Sequence, residues 1–116
     1  MFKVTDSAIR DAYLYLRSLP PFTRWNLPPA GDCTFGLLVG ASHHAEYVKD
    51  GKHLILVNAD THITLTDMLM SVAHEMCHQR QELLGRLPKV KDSHNAEFRR
   101  MAKQVCSAMG WDLQKF

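Results

Sequence analysis

The chain has 116 residues, 46% hydrophobic and 22% charged, with a formal net charge of +2. That composition is ordinary for one globular domain with a real core. It excludes a disordered or collagen-like chain, and so small a charge permits nucleic-acid binding without arguing for it. No run approaches the roughly 18 consecutive apolar residues of a membrane span. The opening Met1-Phe2-Lys3-Val4-Thr5-Asp6 has no signal-peptide apolar core, so cytoplasmic residence is the expectation. Cys33, Cys77 and Cys106 are odd in number and widely separated, which argues against a disulfide framework and against a four-cysteine zinc ribbon. Cys77 and Cys106 are expected to be small core residues.

From residue 6 to about 19 the pattern reads as an amphipathic helix, with Ile9, Ala12, Tyr13 and Leu16 on one face and Pro20-Pro21 as its stop. Residues 22–32, rich in proline and polar side chains, read as a loop. Within it Arg24-Trp25 fits a lid over the core better than a stacking platform. Residues 33–39 read as a strand, and residues 46–49 and 53–57 flank Asp50-Gly51, a strong two-residue hairpin signal. A small antiparallel sheet of about three strands follows. With no repeat or linker along the chain, the fold class is α+β, a single domain over 1–116.

The segment from Leu65 to Leu84 reads as a second helix, with Leu65, Leu69, Val72, Ala73, Met76, Leu83 and Leu84 near the helical period. Thr64 and Asp67 form a capping-box-like start, and Gly85 is a natural stop. Inside it lies His74-Glu75-Met76-Cys77-His78. One turn takes about 3.6 residues, so His74 and His78 share a face and can grip one ion. Glu75 sits about 100° round the helix, where it can reach a metal-bound water without becoming a ligand.

A catalytic zinc site needs three protein ligands and an open position, so a third must come from elsewhere. Asp92 or Ser93 can cap a further helix with His94 in its first turn, and Phe98, Met101, Ala102, Val105 and Met109 form an apolar face that stops at Gly110. His94 and Glu97 are three residues apart and face nearly the same way. Either closes the site.

Together these runs, His74-Glu75-x-x-His78 and then His94-Asn95-x-Glu97-Phe98 before an amphipathic helix ending in Gly110-Trp111, resemble the SprT-like metalloprotease family, which includes the Spartan proteases. The likeness covers roughly residues 54–111. It implies a minimal zincin-like fold with Zn2+ on His74, His78 and His94 and with Glu75 as general base. Asn95 stands where the family usually has glycine, and asparagine tolerates unusual backbone angles. Glu97 remains the alternative third ligand. The cysteine-rich ribbon and partner-binding tails expected of some relatives are not expected here.

The function this implies is peptide hydrolysis by a zinc metallopeptidase, with Glu75 activating the metal-bound water. Candidates for an extra oxyanion donor are Tyr47, His43 and Arg99. Candidates for orienting the imidazoles are Gln79, Gln81, Asp92 and Asn95. Residues 33–47, with Gly36, Gly40, Ser42, His43 and His44, could offer an exposed edge to a substrate strand. His43-His44 otherwise reads as an exposed turn, and His53 and His62 as surface or strand-end residues. Resemblance to Spartan-type enzymes implies DNA-associated protein substrates, and Lys89, Lys91, Arg99, Arg100 and Lys103 form a basic cluster that could meet DNA. Two alternatives stand beside the enzyme: a zinc-binding SprT-like module without protease activity that binds DNA or protein, and a closed structural site with Cys77 or Glu97 as fourth ligand.

Overall fold

The Thr5 hydroxyl accepts the Ala8 amide at 3.0 Å and starts α1, Asp6–Arg17, in a computed structural model that describes residues 2–61, 64–88 and 94–116. Its buried face is Ile9, Ala12, Tyr13 and Leu16, as the spacing predicts. Two short 3-10 turns, Phe22–Arg24 and Ala30–Asp32, then lead into the sheet. Trp25 is buried, with its ring edge-on to Phe22 at 5.0 Å. Its carbonyl accepts from Arg80 at 2.7 Å, so Trp25 is a lid over the core while Arg24 faces solvent.

The sheet has three strands, β1 (Cys33–Leu38), β2 (Ala45–Asp50) and β3 (Lys52–Asn58), in the order β1-β3-β2. The hairpin signal holds: β2 and β3 pair antiparallel around Gly51, whose φ is 70°. The expected purely antiparallel sheet does not, because β3 lies between the other two and pairs parallel with β1. Neighbouring strands are about 4.8 Å apart, so the six-residue connection 39–44 is long enough to step over the end of β3. Asn58 holds that crossing in place. Its Nδ2 donates to Ala41 O at 2.8 Å and His43 O at 3.1 Å, and its backbone N–H donates to His44 O at 2.8 Å. As the central strand, β3 places His53, Ile55 and Val57 in the core and half-buries Leu54 and Leu56.

Helix α2, Leu65–Leu83, opens with both halves of the capping box: Thr64 Oγ1 accepts from Asp67 N, and Asp67 Oδ2 from Thr64 N, each at 3.1 Å. Its buried set differs from the expected stripe. Leu65, Leu83 and Leu84 are exposed, while Glu75, Cys77, His78, Gln79 and Gln81 are buried beside Met68, Val72, Ala73 and Met76. Helix α1, strands β2 and β3 and helix α3 all pack against it, so no single stripe describes its interior.

Helix α3, Ala96–Met109, ends at Gly110 in the left-handed region, φ 74°. Its cap is Asn95, whose Oδ1 accepts the Phe98 amide at 3.0 Å. His94 therefore precedes the helix and does not occupy its first turn. Asp92 and Ser93, the expected caps, lie outside the described residues, as do His62, Lys89 and Lys91. Among the described residues, no helix is long and apolar enough to cross a membrane.

Candidate metal centre

One turn of α2 separates His74 from His78 and brings their rings to 5.1 Å, centroid to centroid. Packing of α3 on α2 supplies the third imidazole. Phe98, in the first turn of α3, lies 4.7 Å from His74, 4.6 Å from His78 and 4.5 Å from His94 by ring centroids. That ring forms an apolar floor beneath all three. The ligand nitrogens of His74, His78 and His94 lie within 4.8 Å of one another, close enough to hold a metal ion, and the Nε2 atoms of His74 and His94 are 3.0 Å apart.

The outward nitrogens of the two helical histidines are committed. His74 Nδ1 lies 3.2 Å from the carbonyl oxygen of Phe116. A carbonyl only accepts, so Nδ1 carries the proton and Nε2 keeps its lone pair. His78 Nδ1 lies 2.9 Å from Gln81 Oε1, and Gln81 Nε2 donates to Asn95 Oδ1 at 3.1 Å. Burial holds the His74 imidazole down to about 3, with His78 and His94 adding to the effect and the Phe116 carbonyl opposing it. His78 is also lowered by burial, with Gln81 opposing. Neutral imidazoles are the form a metal takes.

Glu75 is 5% exposed and lines the same cleft, of about 740 Å³, as the three histidines. Burial raises its carboxyl to about 8, the charge of Glu46 adds to this, and a backbone hydrogen bond from Tyr47 on β2 opposes it. A divalent cation beside it would favour the carboxylate again. The cleft is also lined by His43, His44 and the start of β2, and by Leu87, Pro88, Lys115 and Phe116.

Several expectations separate here. Glu97 is not part of the cluster: its carboxylate pairs with Arg86 at 2.7 Å. Cys77 and Cys106 are buried core residues outside the cluster. Among the orienting candidates, Gln81 and Asn95 lie behind His78. Gln79 turns the other way, towards Tyr13 and Cys33, and Asp92 lies outside the described residues. The Tyr47 hydroxyl meets His53 Nδ1 at 2.6 Å in the core, and Arg99 donates to His94 O at 2.8 Å. Of the three oxyanion candidates, His43 and Tyr47 line the cleft, with the Tyr47 hydroxyl taken up by His53. His43 and His44 are exposed, but His53 is buried rather than superficial. The Phe116 carbonyl behind His74 was not anticipated, because a backbone acceptor leaves no mark in residue type. No protein-family model, curated protein or solved structure matches the chain.

Proposed function

We propose that the protein is a zinc metallopeptidase. The observation that carries this reading is the convergence of three imidazole nitrogens within 4.8 Å beside a buried carboxyl group in one open cleft. The donor set fits zinc. Tetrahedral zinc with bonds of 2.0–2.1 Å spaces its ligand nitrogens by roughly 3.3 Å, near the 3.0 Å between His74 and His94. Among the described residues, three imidazoles with no fourth side chain in the cluster match the open, catalytic pattern rather than the closed, structural one.

Zinc, when bound, supplies Lewis acidity and lowers the pKa of a water in its open position. The chain does the rest. His74, His78 and His94 hold the ion, and Glu75 accepts the proton of the attacking water and returns it to the leaving amine. His43, which lines the same cleft, is the residue we assign to donate to the developing oxyanion. Strand β2 is a sheet edge beside the cleft, so an extended peptide could align there by main-chain hydrogen bonds. Likeness to the SprT family supports a protein substrate associated with DNA. Arg100 and Lys103 line one shallow depression with Gln104 and Ser107 and are the cations we assign to DNA, whereas Arg99 is engaged with His94. Three free, buried cysteines support a reducing compartment, the cytoplasm.

The test is Glu75→Gln. The variant should keep about one zinc per chain and lose roughly 100-fold or more of its cleavage of an unfolded protein such as casein, the usual contribution of a general base. Wild-type protein that holds zinc yet cleaves no unfolded protein, with or without DNA, would replace the peptidase by a non-catalytic zinc-binding module.

A further inference from the structure

Carboxamide orientations are usually chosen rather than observed, because oxygen and nitrogen exchange places at little cost to shape. Behind His78 that freedom is gone. The Phe98 amide, in the first turn of α3, can only donate, so the Asn95 atom 3.0 Å away is the oxygen. That same oxygen faces Gln81 at 3.1 Å, so the Gln81 atom there must be the nitrogen. The other end of the Gln81 carboxamide is therefore its oxygen, 2.9 Å from His78 Nδ1, and an oxygen acceptor requires a proton on that nitrogen. Gln81 is wholly buried and His78 nearly so, so water does not substitute for these partners.

We propose that the Phe98 backbone amide dictates, through Asn95 and Gln81, that His78 carries its proton on Nδ1 and presents the Nε2 lone pair to the metal. Gln81 is thus a positioning residue, acting through His78. The relay also ties two ligand-bearing segments together, since Asn95 adjoins His94 and caps the helix that brings His94 to α2. It gives Asn95 a role that glycine, with no side chain, cannot fill. The importance of the relay for activity rests on the zinc reading; the tautomer does not.

Nitrogen-15 NMR of the imidazoles in the full chain at mildly alkaline pH, before and after adding zinc, reads the tautomer directly. Zinc affinity is measured alongside by competition with a chelator. Wild type should show His78 protonated on Nδ1 before zinc is added. Gln81→Met should mix the two tautomers and weaken zinc binding by roughly 10- to 100-fold, the usual cost of losing a ligand's hydrogen-bond partner. Asn95→Ala should do the same in part. Asn95→Asp, whose carboxylate accepts both N–H groups, should restore the wild-type tautomer, which separates the relay from a loss of folding. His78 protonated on Nε2 in the wild type, or an Nδ1 proton that persists in folded Gln81→Met, would overturn the proposal. A wild type with the Nδ1 proton that takes up no zinc would leave the relay intact and sink the metallopeptidase.

Discussion

Gln79 and Gln81 are two residues apart on α2 and both are fully buried, yet they face opposite sides of the helix and serve different ends. On the core side, Gln79 Oε1 lies 3.2 Å from Tyr13 Oη and its Nε2 3.6 Å from Cys33 Sγ. The Tyr13 hydroxyl also donates to Pro28 O at 2.6 Å, and Cys33 Sγ lies 3.7 Å from Pro29 O. Hydroxyl and thiol each bring a single hydrogen that a loop carbonyl also claims, and no backbone N–H fixes the direction of the carboxamide. On the site side a backbone N–H imposes one, and the far end of the chain is an imidazole nitrogen with a lone pair left over. Equal burial and equal residue type therefore do not mean equal role. A core network closes on itself, whereas a site network leaves one valence pointing into a cleft.

The largest expected effect lies wholly on the site side. His94→Ala should abolish stoichiometric zinc binding, while Glu97→Ala, which breaks only the exposed Arg86 pair, should retain it; elemental analysis of the purified proteins reads both. Unfolding of the zinc-free His94→Ala chain should shift by no more than about 0.5 kcal/mol, as for most exposed positions. Zinc retained by His94→Ala and lost by Glu97→Ala would reverse the assignment of the third ligand.

Next in size is the core side. Gln79→Met removes the carboxamide from between Tyr13 and Cys33, leaving each with its loop carbonyl partner. Denaturant unfolding should show a loss of about 1 kcal/mol, the net worth of a typical buried hydrogen bond, with zinc affinity unchanged. Weaker zinc binding in Gln79→Met would erase the distinction between the two networks.

The last effect is a pH dependence. The Glu75 carboxyl is raised from 4.5 to about 8 in the folded chain. Between those values the folded state keeps a proton that the unfolded state has released, so this contribution to stability falls as pH rises from about 4.5 to 8. Glu75→Gln removes that dependence. In zinc-free protein its Tm should gain on the wild type progressively across this window, and the gain should vanish at lower pH. His74, lowered from 6.5 to about 3, acts with the opposite sign, its contribution being lost as pH falls through that range. A constant difference in Tm between Glu75→Gln and wild type from acid to alkaline pH would show that Glu75 is solvated rather than buried.

What the sequence determined by itself is whatever depends on local period and cap chemistry. His74, Glu75 and His78 could be placed because helical geometry alone puts two imidazoles on one face, and Thr64, Asp67, Gly51, Gly85 and Gly110 mark their turns and helix ends through backbone preferences that hold in any context. His94 was legible as a candidate third imidazole, though the start of its helix was misplaced, because Asn95, Ser93 and Asp92 are all competent caps and only packing chooses among them. Tertiary structure alone decided the rest. It inserted β3 between β1 and β2, since strand order depends on how a connection crosses the sheet end and not on alternation within strands. It separated His94 from Glu97, sent Gln79 to the core and Gln81 to the site, and brought the Phe116 carbonyl behind His74. These are contacts between segments distant in the chain, and their direction is set by which face of α2 each neighbour covers, a quantity no residue carries on its own.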